Sequence, residues 1–471
     1  MNLKKLKFTA LAAALAVTSV VFPSCAKPDG KTVISVGMWG GGSSADREYY
    51  LEVKRGFEKM YPQYELVSSP YEYSEDTVTA KFASGQLPAV FEADAMFAKS
   101  ALKNGYFLDV APYLARYGWL SAADGNILSE ISVDGAVGGV PYEQYAAGMV
   151  LNLPLLYEAG VISRSQGGEY ILYDVHGSPL YPDTFAKLTS AFEKVARGSG
   201  AYGLFLPSGD ARCGKIYADL SYNYGGGYLE VKGEDGWSLD LSGQAFGEAL
   251  RWVKNSVQDG YIDASLPYGY DEWAVKMSGG EVAVAFCESN LLASALAAYP
   301  SLKGNVAFVP LPSADGVQSR AVQGCKIFAV NGGASADVAE GVFRLLAYLG
   351  YGADAGEVAF ASSEKRLSAL YARDIPVFPS PAVWLEGEYS AKREQLYANY
   401  KNYDERYFGE FFIKFDDFKR KGEPYYRNAL NGVLDKLYAD MIFNPNETDV
   451  VALLEAQERE FTENRLSRIE D

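Results

Sequence analysis

The sequence of 471 residues contains one histidine and four cysteines. The histidine, His176, lies in a turn-like segment, which disfavours histidine-based metal sites and a Ser-His-Asp triad. Besides Cys25, the cysteines are Cys213, Cys287 and Cys325, an odd number without a C-x-x-C pair, and their spacing predicts no disulfide. We therefore expect a protein that needs neither a metal nor another cofactor.

Clusters of basic residues are also missing. The chain has 43 Lys and Arg against 60 Asp and Glu, a formal net charge of −17. Binding of nucleic acid needs clustered basic side chains to neutralise phosphates, so we expect no nucleic-acid partner. After the N-terminal segment no run reaches the roughly 18 apolar residues of a transmembrane helix. The acidity mainly favours solubility.

Residues 1–24 have the layout of a secretory signal peptide. Three lysines precede an apolar run, residues 8–22, that is too short to span a bilayer. The following V-F-P-S-C at residues 21–25 resembles the lipobox of bacterial lipoproteins, in which the cysteine is acylated and becomes the new N-terminus. We predict lipidation at Cys25 and a tether at residues 25–30. The alternative is an ordinary signal peptide that leaves Cys25 free.

The first stretch of the mature chain predicts the opening of a β-α unit. Thr32–Val36 is a β-branched apolar run, typical of a strand buried on both faces. Residues 37–44 contain too much glycine for a helix or a strand, and the apolar residues after them recur at helical spacing. Ligands of open α/β sheets bind beyond the carboxyl ends of such strands. We therefore predict that residues 39–44 form one wall of a ligand site.

Strand-like and helical segments continue to alternate. Strands are predicted at residues 64–69 and 87–94 and helices at 77–84 and 96–104, a pattern typical of a parallel sheet with helices on both faces. Later segments are predicted as strands at 146–153, 281–286, 305–312 and 325–330, followed by a helical tail. Residues 198–203 fit G-x-G-x-x-G, but they follow a helix, so we reject them as a nucleotide site. At about 100 to 200 residues per domain, the chain has room for two lobes.

Several short segments carry a family resemblance through their order and spacing. They read VGMWGG at 36–41, FEKMYP at 57–62, ASGQLP at 83–88, GVPY at 139–142, LNLPLL at 151–156 with AG at 159–160, PDTF at 182–185, SGGEVAV at 278–284 and GCKIFAV at 324–330. Over nearly its whole mature length the chain resembles the extracellular solute-binding proteins of family 1, the sugar-type receptors of ABC importers. Ala89 and Asn290 replace a common Asp and Trp of that family, so the resemblance indicates the receptor role more than a particular sugar.

The resemblance implies an α/β, two-lobe periplasmic binding protein fold with discontinuous lobes joined by a multi-strand hinge. The chain is expected to cross between the lobes near residues 141–147, 309–312 and 375–381. One lobe would hold residues 31–141 and 313–375, and the other residues 142–309 and 376–471. A ligand between them would favour the closed form, because only there do both lobes touch it.

Sugar recognition needs flat aromatic faces and groups that accept hydrogen bonds from hydroxyls. Loops expected to face the cleft supply both. The predicted ligand-binding residues are Trp39, Gly41, Gly42, Tyr73, Asp94, Glu143, Tyr145, Gly226, Glu288, Asn290 and Gly324. Each has a structural alternative: Trp39 could be core, the glycines could serve turns, and Asp94 could cap the helix that follows it.

The resemblance implies a lipid-anchored substrate-binding protein of an ABC importer that captures a sugar or oligosaccharide and passes it to permease subunits. It would be an exported monomer without enzymatic activity, on the periplasmic or cell-surface face of a membrane that it contacts through Cys25 alone. Two other classes stay open. A secreted glycoside hydrolase would need two carboxylates about 5 to 10 Å apart. A surface lipoprotein without a transport role would not need the two-lobe layout.

Overall fold

The computed structural model describes residues 30–39, 44–209, 213–226, 230–233, 236–239, 241–353, 356–385, 388–415, 419–420, 427–446 and 449–466. The strands are β1 (Thr32–Val36), β2 (Tyr64–Ser68), β3 (Val90–Asp94), β4 (Ser132–Val133), β5 (Ala136–Val137), β6 (Val140–Asn152), β7 (Ser163–Arg164), β8 (Tyr170–Ile171), β9 (Tyr202–Phe205), β10 (Glu230–Gly233), β11 (Gly236–Leu239), β12 (Val282–Glu288), β13 (Val306–Val309), β14 (Ala321–Val330) and β15 (Lys419–Arg420).

The α-helices are α1 (Ser44–Met60), α2 (Glu75–Ala83), α3 (Ala95–Lys103), α4 (Ala111–Arg116), α5 (Gly125–Ile131), α6 (Leu153–Glu158), α7 (Phe185–Ser199), α8 (Gly214–Asn223), α9 (Gln244–Gln258), α10 (Trp273–Ser278), α11 (Leu292–Ala298), α12 (Ala336–Leu349), α13 (Glu357–Ala372), α14 (Glu388–Tyr400), α15 (Glu405–Ile413), α16 (Arg427–Phe443) and α17 (Val450–Asn464). Short 3₁₀ turns lie at Tyr270–Glu272, Ser289–Leu291 and Pro300–Leu302. Within the described ranges, no helix is long and apolar enough to cross a membrane.

The opening of the chain folds as its pattern predicts. The β-branched run forms β1, which pairs in parallel with β2 on one side and with β3 on the other. Helix α2 begins after Ser74, whose side chain accepts a hydrogen bond from the backbone of Thr77. Because β1 and β3 are parallel, their carboxyl ends reach the same edge of the sheet. Trp39 follows β1 and Asp94 ends β3, so both residues lie at this edge.

One sheet runs through the whole molecule in the order β2-β1-β3-β14-β6-β12-β9. Strand β14 is antiparallel to both β3 and β6, and β12 is antiparallel to β6 but parallel to β9. Strand β13 also pairs with β6, next to its C-terminal half. Strand β6 is thirteen residues long and nearly all of it is buried, so it joins the two halves of the sheet.

Two separate hydrophobic cores surround this sheet. The first core draws on residues between 34 and 140, between 325 and 353, and on Val383 and Trp384. The second draws on residues between 146 and 322 and between 407 and 466. We use first lobe and second lobe for the parts built on these cores. The predicted α/β class with two discontinuous lobes joined by several crossings is confirmed.

The crossings differ in detail from the sequence pattern. Strand β6 begins at Val140 rather than near residue 146, directly after a separate small hairpin of β4 and β5. The return crossing is β14, whose Ala321 and Val322 belong to the second core and whose Ile327 and Phe328 belong to the first. Strand β13 ends at Val309, where Pro310 cannot donate a ladder hydrogen bond.

The third connection, residues 375–381, has no strand ladder. The side chain of Asn402 holds it instead, since Nδ2 donates to the carbonyl of Ile375 at 3.0 Å and Oδ1 accepts from the backbone N–H of Val377 at 2.8 Å. The ring of Phe378 packs on Tyr403 and Phe408, each with its centroid 5.0 Å away. These contacts attach the connection to the second lobe.

Candidate functional site

Four adjacent strands carry polar side chains where the two lobes meet. Lys326 of β14 pairs with Asp94 of β3 on one side and with Glu143 of β6 on the other. Two residues along, Gly324 lies opposite Tyr145, and Glu288 ends β12 opposite Ala147 of β6. The structure therefore brings five of the predicted ligand-binding residues into one row, which we call the cross-strand row: Asp94, Glu143, Tyr145, Glu288 and Gly324, with Lys326 among them.

Lys326 lies among carboxylates. Its Nζ is 3.3 Å from Oε2 of Glu143, and both side chains are about a third exposed. Burial alone would lower the pKa of Lys326, but the charges of Glu143, Glu92 and Asp94 raise it above its ordinary value. Lys326 is thus a fixed cation that keeps several acceptor oxygens close together.

The second-lobe end of the row is a compact ion pair. Lys215, in the first turn of α8, is 6% exposed, and its Nζ donates to Oε1 of Glu288 at 2.8 Å. The same ammonium lies 4.3 Å from the ring centroid of Tyr145. A Cβ on Gly324 would be 2.3 Å from the Tyr145 ring and 2.6 Å from Nζ of Lys215. Glycine at 324 is therefore what lets the ring and the ammonium occupy this space.

The first-lobe end of the row gathers phenols and carboxylates around Asp94. Asp94 occupies the N-cap position of α3 but makes no side-chain capping hydrogen bond, so it is not the predicted helix cap. Burial, then the charges of Asp94 and Glu75, raise the pKa of Tyr73 well above its ordinary value. Burial and the charge of Asp94 also raise the pKa of Tyr71 and of Glu75. Negative charge is thus concentrated at the first-lobe end of the row.

Trp39 follows β1 at the same edge of the sheet. Its partly buried ring lies 4.9 Å from the ring of Tyr50 in α1, and its carbonyl accepts a hydrogen bond from Ser68 Oγ. The side chain packs on the edge of the first core without being enclosed by it. This position suits both the structural and the ligand-binding interpretation.

Besides Trp39, three predicted residues lie outside the row, and two lie outside the described residues. Gly226 follows the C-terminal end of α8, and a Cβ there would approach the carbonyl of Ser221 at 3.0 Å. Asn290 lies in the 3₁₀ turn after Glu288. Tyr73 lies close enough to Asp94 for that charge, after burial, to raise the pKa of its phenol. Gly41 and Gly42 fall outside the described residues, as does Cys25.

Sequence reasoning missed two lysines and one tyrosine. Lys326 is the single charged residue in the apolar strand β14, which was a usable signal, because an unpaired charge in a buried strand is costly. Lys215 and Tyr71 gave no such signal. The partner of Lys215 is 73 residues away in the chain, and Tyr71 is one of 35 tyrosines.

Residues 41–350 match the family model described as bacterial extracellular solute-binding protein. The chain belongs to this family. The family is extracellular by its description, so this solute-binding protein is exported. No curated protein sequence matches it. Among the described residues, no group of three or more His, Cys, Asp or Glu could hold a metal ion.

Solved structures of substrate-binding receptors share the fold. The GacH receptor of Streptomyces glaucescens, solved unliganded and with acarbose, is 18% identical, with 93% of this chain and 99% of that chain covered and a TM-score of 0.65. Maltose-bound MalE3 of T. maritima is 15% identical over 91% and 99%, with a TM-score of 0.66. UgpB of Mycobacterium tuberculosis, solved with glycerophosphocholine, is 15% identical over 92% and 98%, with a TM-score of 0.67. At these identities the likeness shows the fold alone.

Proposed function

We propose that this solute-binding protein is the receptor of an ABC importer, which captures a sugar or oligosaccharide between its lobes and delivers it to the permease subunits. The observation that carries the proposal is the cross-strand row, which places acceptor oxygens from both lobes at their junction in a chain of this family. The neighbours solved with acarbose and maltose support a sugar as the solute.

The chemistry of the row suits hydroxyl groups. The carboxylates of Asp94, Glu143 and Glu288 accept hydrogen bonds from sugar hydroxyls, and the rings of Trp39 and Tyr73 offer flat faces for the C–H side of a pyranose. Tyr145 and Gly324 form the floor, because the Tyr145 ring is 8% exposed and already covered by Lys215. Gly41, Gly42, Gly226 and Asn290 remain predicted contacts.

The charges favour a neutral solute over an anionic one. Lys215 is bonded to Glu288, and Lys326 lies among Glu143, Glu92 and Asp94. A phosphate or carboxylate on the ligand would meet those carboxylates before it met a cation that lacks a partner. We therefore propose a sugar that carries neither a phosphate nor a carboxylate, in contrast to the glycerophosphocholine of the UgpB complex, which carries a phosphate group.

A thermal-shift screen against neutral sugars, uronic acids and glycerol phosphates tests the ligand, because a solute that binds only the folded form raises its melting temperature by mass action. Calorimetry should then show that Asp94→Asn weakens binding of the sugar, whereas Asp337→Asn, an exposed carboxylate in the first turn of α12, leaves it unchanged. Turnover of the sugar would favour the glycoside hydrolase instead.

We also propose that the protein closes on its solute without changing it chemically. The proposed lobes are residues 31–141 with 313–375 and residues 142–309 with 376–471. The membership of the two hydrophobic cores supports this division except at residues 321–322 and 383–384, which pack in the opposite core. Small-angle scattering should show a more compact particle when the sugar is added. An unchanged radius of gyration at saturating sugar would contradict closure.

We propose that the protein is anchored by lipid at Cys25 and is a monomer. A leader that ends at Cys25 supports attachment through two or three acyl chains, since one chain alone binds a membrane only marginally. Cys25→Ser should release the protein from the membrane fraction. A variant that stayed in that fraction would contradict the lipid anchor. Light scattering of the protein without its lipid should give the mass of a monomer.

A further inference from the structure

The two strands that cross between the lobes side by side, β6 and β14, each carry one glutamine at the crossing point. Gln144 of β6 lies between Val140, which belongs to the first core, and Ala146, which belongs to the second. Gln323 of β14 follows the two residues of that strand that belong to the second core and precedes those that belong to the first. A few residues at such points absorb the motion of a hinge, so a rotation of the lobes must change the surroundings of both glutamines.

Both glutamines lie on the face of the sheet that is opposite to the cross-strand row. Gln323 pairs with Ala146 and Gln144 pairs with Cys325, whereas the row holds the alternate residues of the two strands. Successive side chains of a strand point to opposite faces, and we call the face of the two glutamines the back face. They are diagonal neighbours on it, two residues apart along the strands, a separation within reach of long side chains.

The amide of Gln323 has no partner in the arrangement of the lobes described above. Gln323 is 0% exposed, and neither its Nε2 nor its Oε1 is hydrogen-bonded to any described residue. Oε1 of Gln144 accepts no hydrogen bond from the described residues either. These three atoms have no surface that a water molecule can reach, so only another protein group can satisfy them. Leaving buried polar groups unpaired is costly, which favours an arrangement of the lobes that pairs them.

The two amides are complementary. Nε2 of Gln323 is a donor and Oε1 of Gln144 is an acceptor. The orientation of the Gln144 amide is defined, because its Nε2 faces two acceptors, the carbonyl of Ala382 at 2.5 Å and Oδ2 of Asp124 at 3.5 Å. The Gln144 oxygen is therefore the atom that is left for a donor from β14.

The back face decides which motion brings the two amides together. Closing the lobes over the cross-strand row bends the crossing strands towards that row. Such a bend moves apart back-face side chains that are displaced from each other along the strands, here by two residues or roughly 7 Å. Opening the lobes bends the strands the other way and brings Gln323 towards Gln144.

We infer that Gln323 donates a hydrogen bond to Gln144 when the lobes open, and that this back-face pair lowers the affinity of the cleft by stabilising the open form. A protein whose closed form is only partly populated binds its solute with a correspondingly weaker apparent affinity. Gln323 is thus a positioning residue, which acts through the balance of open and closed forms and not by touching the solute. The inference rests on the proposed function, since it needs lobes that close on a solute.

Small-angle scattering of the protein without sugar tests the pair directly. Gln323→Met keeps the length of the side chain but has no donor, so the open form loses its pair and the closed form loses an unpaired amide. The radius of gyration should therefore be smaller than that of wild type. Gln166→Met, the same change in the exposed turn between β7 and β8, should scatter like wild type. Equal radii for the three proteins overturn the pair, and Gln323→Leu gives the same answer should Gln323→Met fail to fold.

Calorimetry with the sugar found by the thermal-shift screen measures the effect on affinity. Gln323→Met should bind the sugar at least threefold more tightly than wild type. In a protein that already carries Gln144→Met the pair is missing, so adding Gln323→Met should leave the Kd unchanged. A merely structural role of Gln323 would give the same change in both backgrounds. That result, or weaker binding by Gln323→Met alone, overturns the inference.

The measurements separate a failure of the pair from a failure of the proposed function. If no sugar binds to wild type, or if the sugar leaves its radius of gyration unchanged, the proposed function fails, while the radii of the sugar-free variants still decide the pair. If wild type binds the sugar and becomes more compact, but Gln323→Met equals wild type in radius and in Kd, the pair fails and the proposed function stands.

Discussion

The two ends of the cross-strand row, which we propose as the two walls of the ligand cleft, differ in their electrostatics. On the second-lobe wall one cation meets one carboxylate, Lys215 with Glu288, and the same ammonium covers Tyr145. On the first-lobe wall Asp94 and Glu75 lie close to each other and to two tyrosines, and burial and like charge raise the pKa values of Glu75 and Tyr73. In the first arrangement the two charges neutralise each other. The second is costly until hydroxyl donors arrive, which is typical of groups kept for binding.

The largest expected effect comes from breaking the second-lobe pair. Lys215→Met leaves Glu288 largely buried without its cation, and breaking such a pair costs about 3 to 5 kcal/mol. Urea denaturation of the ligand-free protein measures this loss. The double variant with Glu288→Gln should regain much of it, because no charge then remains without a partner. A single variant as stable as wild type would show that this wall is not held by the pair.

The first-lobe wall should respond in affinity more than in stability. Trp39→Ala removes burial and stacking of a sugar, on the order of 2 to 4 kcal/mol of binding, so affinity should fall by tens to hundreds of times. The melting temperature should fall less, because the ring is only partly buried and packs mainly on Tyr50. Calorimetry and thermal melts on the same variant give both values. A large loss of melting temperature with nearly intact affinity would assign Trp39 to the core.

Gly324 lies between the two ends of the cross-strand row, opposite Tyr145, at the floor of the proposed cleft. Gly324→Ala must displace the Tyr145 ring or the Lys215 ammonium, and overpacking of this kind costs about 1 to 3 kcal/mol. The matched control is Gly432→Ala in α16, where a Cβ meets nothing within 4 Å and a helical alanine gains up to about 1 kcal/mol. Urea denaturation compares the two. Equal stability of both variants would show that the floor adapts freely.

The smallest effect concerns the pH dependence of the first-lobe wall. The pKa of Glu75 lies above its ordinary value of 4.5, mainly through burial and then through Asp94. Because the pKa is raised in the folded state, this contribution to stability is full below the ordinary value of 4.5 and is lost as the pH rises from there through the raised pKa. At pH 7, Glu75→Gln should therefore have a higher melting temperature than wild type, which corresponds to a gain of less than about 1 kcal/mol in the free energy of unfolding. At pH 4 the two melting temperatures should be equal. The opposite order would mean that Glu75 has a stabilising cation nearby.

The local pattern predicted the elements of the first lobe well. The β-branched run of β1 and the helical spacing after it need only near neighbours, and both formed within a few residues of their predicted bounds. The same pattern placed the start of β6 too late, since the polar residues Glu143 and Gln144 interrupt its apolar run. Strands that cross a hinge carry polar side chains for the site, and these obscure the signal of a buried strand.

The sequence by itself determined the α/β class, the family, the two-lobe layout and most of the residues that meet at the lobe junction. These follow from hydrophobic periodicity and from short motifs, which are local properties of the chain. Only the tertiary structure decided that Lys215 pairs with Glu288, that Lys326 lies between Asp94 and Glu143, and that Gln144 and Gln323 lie on one face of the crossing strands. Those features depend on the register of strands that are distant in the sequence, and a change of one residue in that register would turn every side chain to the opposite face.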